Sequence, residues 1–262
     1  MTPHESLGEP AVTPPGGGEV VGDAPDRRVE ILCELDGLHA TWSRFGPRRE
    51  GADLHVHRRH ADLFYVLEGE LTLMLGLERE AVSLPAGALA LMPPLVAHGF
   101  RNAGDTEVRY LNFHAPGQGF ADFMRALRDG RTLAYDQEPP PAEGVRPASE
   151  AMISADGERT VDRPNFRTTV LAEVEQIMVA ETWAAPGAAP SEPRGRPDHA
   201  ESLYVLAGEL GLTAGDRELR AGAGSWVQVP AGVPHTVSPS DSPVSYLSIR
   251  TPSALSSPRE RP

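Results

Sequence analysis

The chain has 262 residues, of which 40% are hydrophobic and 23% charged, and its formal net charge is -13. This length fits either one large β domain or two domains of ordinary size. The negative charge disfavours nucleic acid and anionic membranes as partners, because both reward a basic surface. All 24 basic residues are arginine, which excludes chemistry that needs a lysine, such as Schiff-base formation or a phosphate-loop lysine.

The ends of the chain and its cysteine content bear on the cellular compartment of the protein. Residues 1–27 are rich in Pro, Gly and charge and are predicted to form a mobile tail, with a second tail at residues 253–262. The first residues lack a basic segment followed by an apolar core, and no apolar run reaches spanning length, so we expect a cytoplasmic protein. Cys33 is the only cysteine, which excludes an intrachain disulfide and a thiolate metal cluster.

From Arg28 onward, short apolar runs alternate with Gly and Pro. These runs are residues 29–35, 38–45, 54–57, 63–67, 71–77, 81–84, 88–92, 98–101 and 107–113. Many short strands at regular spacing favour an all-β sandwich or barrel, and we assign the first one to residues 28–128.

The stretch that follows has a helical period. Its apolar residues recur at intervals of three and four, which predicts one amphipathic helix packed outside the first β domain. The residues of this stripe are Phe120, Phe123, Met124 and Leu127. Residues 129–150 are polar and rich in Pro, which predicts a linker to a second domain at residues 151–252.

The pattern of the first domain recurs in the second. Matching landmarks return at a nearly constant offset, which indicates a duplicated domain. The matched pairs are Thr41 with Thr182, Tyr65 with Tyr204, Gly69 with Gly208, Pro93 with Pro230, and His98 with His235.

The candidate functional residues lie mainly between Gly51 and Gly69. His55 and His57 are two residues apart, so on a strand their side chains point to the same face. Two neutral imidazoles with a nearby carboxylate, here Asp62, suit a transition metal. His98 follows a Pro-bounded turn and offers a third imidazole. The pattern predicts one divalent transition metal (Fe, Mn, Ni, Zn, Co or Cu) held by these four side chains.

The first of these stretches resembles a signature motif of the cupin superfamily. That motif is His-x-His, then four residues and a Glu, then six residues and a Gly. Asp62 stands at the Glu position, and Gly69 closes the motif. The sequence Phe-Tyr-Val-Leu-Glu-Gly-Glu at residues 64–70 is similar to small bacterial cupins of the quercetin dioxygenase-like group.

The second cupin motif is a Gly, five residues, Pro-x-Gly, two residues, a His, three residues and an Asn. Gly87, Pro93, His98 and Asn102 match it in register, but Leu95 replaces the middle Gly. Gly is the usual residue where φ must be positive, so this departure bears on the turn that aims His98.

The resemblance implies two tandem jelly-roll barrels (double-stranded β-helices), with a short helix after the first. It implies that Asp62 acts beside the histidines, but an Asp is one methylene shorter than a Glu. Three roles therefore stay open: a direct ligand, a ligand through water, or a side chain that orients another ligand.

Four further residues are candidates for a substrate pocket in the first barrel. His60 lies in the turn between the ligands and is expected near the barrel mouth. Phe64, Phe100 and Tyr110 are expected to share faces with polar residues of the site, although simple core packing explains them equally well.

The second copy has lost the imidazole pair. Arg194 and Arg196 stand where the first copy has His55 and His57, while Glu201 and His235 stand where it has Asp62 and His98. A guanidinium has no lone pair to donate, so we expect no metal in this barrel. Two interpretations stay open: both arginines lie in a solvated loop, or one turns inward to pair with Glu201 or to hold an anionic ligand.

The resemblance implies a dioxygenase-like oxidoreductase that acts on a small aromatic or enolisable substrate, with Asp62 as metal ligand or general base. Two other classes stay open. One is an isomerase or cyclase that uses the metal as a Lewis acid, and the other is a bicupin that binds a small molecule without catalysis. Cupins often pair through barrel faces, so a homodimer is also expected.

Overall fold

The computed structural model describes residues 8–141, 144–154, 157 and 159–252. Its contacts define two compact units, one within Gly18–Asp156 and the other within Met1–Gly17 together with Gly157–Pro262. Residues 1–7 of the predicted mobile tail and the predicted tail at 253–262 lie outside the described residues. The described residues contain no helix whose length and hydropathy would suit a bilayer-spanning segment.

The described elements are almost entirely strands. In chain order they are β1 (Ala11–Thr13), β2 (Glu19–Ala24), β3 (Arg27–Leu35), β4 (Leu38–Phe45), β5 (Ala61–Glu68), β6 (Glu70–Leu75), β7 (Glu80–Pro85), β8 (Leu89–Met92), β9 (His98–Arg101), β10 (Val108–Ala115), helix α1 (Phe120–Arg128), a short 3-10 helix (Ala148–Glu150), β11 (Met152–Ser154), β12 (Arg159–Arg163), β13 (Phe166–Val174), β14 (Ile177–Ala184), β15 (His199–Ala207), β16 (Glu209–Ala214), β17 (Arg217–Gly222), β18 (Trp226–Val229), β19 (His235–Pro239) and β20 (Val244–Pro252).

The Gly18–Asp156 unit, here called the first barrel, contains two antiparallel sheets. Seven strands run in the order β11-β8-β5-β10-β4-β3-β2, and three run in the order β7-β6-β9. Alternate residues of both sheets fill one apolar core. Members of this core include Val29, Phe64, Leu71, Leu73, Leu84 and Val108.

The other unit, here called the second barrel, repeats this arrangement. Its seven-stranded sheet has the order β1-β18-β15-β20-β14-β13-β12, and its small sheet has the order β17-β16-β19. Its core includes Leu203, Val205, Leu210, Leu212, Val227 and Tyr246. The predicted all-β fold with two tandem jelly-roll barrels is confirmed.

The predicted short helix is also confirmed, at Phe120–Arg128. It buries Ala121, Met124 and Ala126 against the first barrel. Arg125 donates to the carboxylates of Glu19 on β2 and Glu34 on β3 at 2.7 Å each, which holds the helix over these strands.

The chain differs from the predicted domain boundaries at two places. Within the segment assigned to a mobile tail, β1 pairs with β18 of the second barrel and β2 pairs with β3 of the first. Residues 152–154, assigned to the second domain, pair instead with β8 of the first barrel. All three are edge or near-edge strands, where pairing to an existing sheet supplies backbone hydrogen bonds that composition does not reveal.

Gly69 lies between β5 and β6 and Gly208 between β15 and β16, where the chain passes from one sheet to the other, with φ of +78° and +79°. A Cβ atom on Gly69 would lie 2.5 Å from the carbonyl oxygen of Glu107. The left-handed backbone and the close approach of a second chain segment both require glycine here.

We expect Gly69→Ala to lower the free energy of unfolding by about 2 kcal/mol or more, because it combines backbone strain with a steric clash. Gly87→Ala is the matched control, since Gly87 also has positive φ (+84°) but no atom lies within 4 Å of its added Cβ. Gly87→Ala should lower the free energy of unfolding by about 1 kcal/mol, from backbone strain alone. Urea denaturation measures both, and equal losses would contradict the role of the close approach.

Candidate metal centre

Three histidines and one aspartate converge inside the first barrel. Backbone hydrogen bonds pair His55 with His98, each amide donating to the other's carbonyl oxygen at 2.9 Å. Asp62 is the second residue of β5, and all four side chains, including His57, are buried. The strands thus bring residues from three separate segments to one place.

The ligand atoms of this group face one another. Nε2 of His55 lies 3.2 Å from Nε2 of His57. Oδ2 of Asp62 lies 3.1 Å from Nε2 of His98 and 3.5 Å from Nε2 of His57. One nitrogen or oxygen atom from each of the four residues lies within 4.8 Å of the others. The short aspartate side chain therefore reaches the cluster.

The other ring nitrogen of each histidine is held by a backbone carbonyl. Nδ1 of His55 donates to the carbonyl oxygen of Asp53 at 2.6 Å, and Nδ1 of His98 donates to that of Val96 at 2.9 Å. Nδ1 of His57 donates to the carbonyl oxygen of Asp136. Because a carbonyl only accepts, Nδ1 carries the proton in each ring and Nε2 presents a lone pair to the centre.

This donor set fits a divalent transition metal. Lone pairs 3.2 Å apart repel each other unless a cation lies between them. Burial, followed by the neighbouring His98 and His57, lowers the pKa of His55 to about 3, so this ring is neutral. Burial alone would raise the pKa of Asp62. The neighbouring imidazoles, His114 first, lower it by more, so the pKa of Asp62 lies well below its ordinary value. Neutral imidazoles and an ionised carboxylate are the forms that bind such metals.

The turn before His98 keeps its shape without the family glycine. Leu95 has a φ of +68°, and its amide donates to the carbonyl oxygen of His57 at 2.7 Å. In the second barrel Gly232 has a φ of +77° and donates to the carbonyl oxygen of Arg196 at 2.8 Å. The turn is therefore the same in both copies, and in the first it contains a strained leucine.

A ring of polar side chains surrounds the cluster, and only His60 among them is a candidate from the sequence. Asn112 Nδ2 donates to Oδ1 of Asp62 at 2.5 Å, and its Oδ1 accepts from Nε2 of His114 at 3.0 Å. The Tyr135 hydroxyl donates to Nδ1 of His114 at 2.5 Å and lies 3.1 Å from Nε2 of His60. Burial, Asp62 and Asp136 raise the pKa of Tyr135, so its hydroxyl keeps its proton.

Asp136 closes this ring from the predicted linker. Its carboxylate accepts from the amides of Arg58 at 3.0 Å and Arg59 at 2.8 Å, and from Nδ1 of His60 at 3.0 Å. Two residues later, Glu138 pairs with the backbone of Val56. The segment at residues 135–138 therefore fixes the turn that presents the ligands and the ring of His57.

Sequence signals for these residues differ in strength. His114 and Asp62 are directly opposite in the β10–β5 register, so strand pairing would have placed His114 beside the site. Tyr135 and Asp136 carry no local signal, because tertiary contacts alone bring them to the barrel. His39, His60 and His114 are all buried.

A cavity of about 230 Å³ opens beside the cluster. Of the predicted pocket residues, Phe100 and Tyr110 line it. Phe64 is fully buried behind them, with its ring centroid 4.8 Å from that of Phe100. His60 is fully buried and contacts Tyr135 and Asp136 instead of the cavity. The apolar face of α1 completes the wall with Phe120, Phe123, Met124 and Leu127.

One cation faces this largely aromatic cavity. The guanidinium carbon of Arg27 lies 5.7 Å from the centroid of the Phe45 ring. Its Nε is buried and has no hydrogen-bond partner among the described residues. Arg27 therefore adds a positive charge to the wall of the cavity.

The second barrel has a different group at the equivalent place. Arg194 and His235 pair through their backbones, as His55 and His98 do in the first barrel. Nε of Arg194 lies 3.0 Å from Oε2 of Glu201, so this arginine turns inward, while Arg196 is exposed. This arrangement is the second interpretation drawn from the sequence, in which one arginine turns inward to pair with Glu201.

Two tandem antiparallel barrels, one with a His-His-Asp-His cluster in its interior, define the bicupin class. The cupin domain family matches residues 41–114 and 184–250, more than half of the chain, and the chain belongs to this family. No protein among the curated sequences matches it significantly.

Solved structures share this fold. A glyoxylate-induced protein from Pseudomonas aeruginosa is similar with 17% identity and a TM-score of 0.67, covering 93% of this chain and 88% of its own. Ylba from E. coli has 14% identity and a TM-score of 0.68, with 94% and 91% covered. Oxalate decarboxylase from Bacillus subtilis has 15% identity and a TM-score of 0.64, with 92% and 76% covered.

We expect the metal-free protein to lose stability as the pH falls from about 6.5 to about 4. Burial, followed by His57, lowers the pKa of His60 to about 4, and that of His55 is about 3. Below the ordinary histidine value of 6.5 the unfolded chain binds protons that the folded chain does not. The loss is up to about 1.4 kcal/mol per pH unit for each histidine.

Urea denaturation after chelation, followed by circular dichroism at pH 7.5 and pH 5, measures this loss. A His55→Gln/His60→Gln double variant should show a smaller difference between the two pH values. An unchanged unfolding midpoint in the parent protein would contradict the assignment of neutral, buried imidazoles.

Proposed function

We propose that the first barrel is a metal-dependent enzyme, a dioxygenase-like oxidoreductase that acts on a small aromatic or enolisable substrate. The observation that supports this most is the convergence of three Nε2 lone pairs and an aspartate oxygen beside a cavity with an aromatic wall. When bound, a divalent metal would supply a Lewis acid with positions open to substrate oxygen and, if redox-active, to dioxygen.

The residues of the chain divide the remaining tasks. His55, His57 and His98 hold the metal, and their fixed Nδ1 contacts keep the rings from turning away. Asp62 serves as a ligand or as the base that accepts the substrate proton, and the amide of Asn112 keeps its other oxygen in place. The aromatic wall excludes bulk water, which strengthens the electrostatic interactions at the site.

The cavity indicates the kind of substrate. Phe100, Tyr110 and Phe120 favour a flat apolar body, and Arg27 favours a carboxylate or enolate at one end. Two proteins with the same fold are named for small carboxylates, glyoxylate in one and oxalate in the other. These names agree with an anionic substrate but do not specify it.

A second candidate is an isomerase or cyclase that uses the metal only as a Lewis acid. The observation that favours it is the hydrogen-bonded chain from Asp62 through Asn112 and His114 to Tyr135. Such a chain provides groups that accept and return protons within a buried site. An isomerase needs this proton movement and no external oxidant.

We expect the purified protein to contain about one equivalent of divalent metal per chain, and His57→Ala to lose at least tenfold in metal affinity because a ligand is removed. His199→Ala is the matched control, since His199 belongs to the second barrel outside the cluster. Elemental analysis after dialysis measures both. Equal metal content in the two variants would contradict the assigned centre.

We expect oxygen consumption with an aromatic or enolisable carboxylate only after loading with a redox-active metal, and Asp62→Asn to lower kcat by about 10²–10⁴-fold if Asp62 is the base. An oxygen electrode and chromatography of the products measure this. Anaerobic turnover with zinc would support the isomerase or cyclase instead. Full stability without metal, and no turnover with any metal, would indicate a bicupin that only binds its ligand.

A further inference from the structure

We propose that the second barrel binds a small organic carboxylate with an apolar body, in the cavity that corresponds to the metal-site cavity of the first. This site has no part in the chemistry proposed for the first barrel. The proposal depends on the charge, hydrogen bonding and shape of one cavity within the second barrel.

The cavity has a volume of about 380 Å³, within the range of small-molecule sites. Four arginines line it: Arg159, Arg163, Arg194 and Arg250. Apolar side chains form another part of the wall: Val161, Phe166, Val170 and Met178. A concave site with concentrated positive charge is unusual in a chain whose net charge is -13.

The buried end of this cavity has more positive than negative charge. Oε2 of Glu201 accepts from Arg194 Nε at 3.0 Å and lies 2.9 Å from Nε2 of His235. Its Oε1 accepts from the hydroxyl of Ser248 at 2.6 Å and from Arg250 Nε at 3.4 Å. Both carboxylate oxygens are therefore occupied, and one negative charge faces two guanidiniums.

A donor remains available at this end. Nη2 of Arg194 is buried and has no hydrogen-bond partner within the described part of the chain. A buried donor without an acceptor lowers stability, and an anionic ligand would satisfy it. The arginine at the position of His55 thus lines this cavity and carries one unpaired donor.

The outer part of the cavity adds further positive charge. Arg163 makes no ion pair with the residues that the structure describes, while Arg159 pairs with Glu173 at 3.3 Å. Glu201 pairs with Arg194 and Arg250 but is not itself a lining residue, and the wall carries one carboxylate, Glu192, which is exposed. Four guanidiniums therefore face two carboxylates around the cavity.

The combination of guanidiniums and apolar side chains favours a carboxylate over other anions. A guanidinium presents two parallel N–H groups that match the two oxygens of a carboxylate. The apolar wall of Phe166, Val170 and Met178 suits a hydrocarbon body, which inorganic phosphate lacks. The ligand we infer is an aryl or short alkyl carboxylate.

Isothermal titration of the full-length, metal-loaded protein with benzoate tests this proposal. Benzamide, which has the same shape without the charge, should bind at least tenfold more weakly. Arg163→Gln and Arg250→Gln should each weaken benzoate binding by about tenfold or more, as expected for loss of a charge-assisted contact. Arg163 does not contact Glu201, so its substitution leaves the buried ion pairs intact, and thermal unfolding verifies that each variant is folded.

Three controls locate the binding. Arg220→Gln changes an exposed arginine of the same barrel, paired with Glu209 and outside the cavity, and should leave benzoate affinity unchanged. Arg27→Gln and His57→Ala alter the first barrel, so they should weaken any benzoate bound there and leave unchanged the binding that depends on Arg163 and Arg250. A wrong function for the first barrel would therefore not affect this test.

The proposal is overturned if benzoate does not bind, or if Arg163→Gln and Arg250→Gln bind it as the parent does. Loss of binding in Arg27→Gln alone would assign the anion to the first barrel. Tighter binding of inorganic phosphate than of benzoate would contradict the carboxylate assignment.

Discussion

The candidate metal centre depends on three hydrogen bonds from histidine side chains to backbone carbonyls. They determine which nitrogen of each ring carries a proton, and so they turn the Nε2 lone pairs of His55, His57 and His98 towards one point. The acceptors lie two residues before His55, two residues before His98, and in the segment at residues 135–138. Because backbone carbonyls accept these three hydrogen bonds, side chains further out can vary without disturbing the centre.

Much of the fold and of the ligand set could be predicted from the sequence, because both depend on local periodicity. Alternation on a strand places His55 and His57 together, and the repeated landmarks reveal the second barrel. Tyr135 and Asp136 could not be found in this way. They lie in a Pro-rich stretch without periodicity, and only the folded chain brings them within hydrogen-bond distance of the site. The edge strand β1 was missed for the same reason.

The two barrels show how one backbone accommodates different electrostatics. The paired backbones of His55 with His98 and of Arg194 with His235 are equivalent, and the turns at Leu95 and Gly232 make the same hydrogen bond. In the first barrel the buried carboxylate faces imidazoles, and in the second it faces guanidiniums. The exchange changes what a barrel can bind while the strands that carry these residues keep their positions.

The pairing of β1 with β18 has a consequence for how the chain is made. The edge of the second barrel's sheet comes from residues that are synthesised more than two hundred residues before the strand they pair with. Strand β1 therefore stays without its partner until β18 has left the ribosome. A fragment that starts after the first barrel would leave β18 with an open edge, the kind of surface at which strands from other molecules add and aggregation begins.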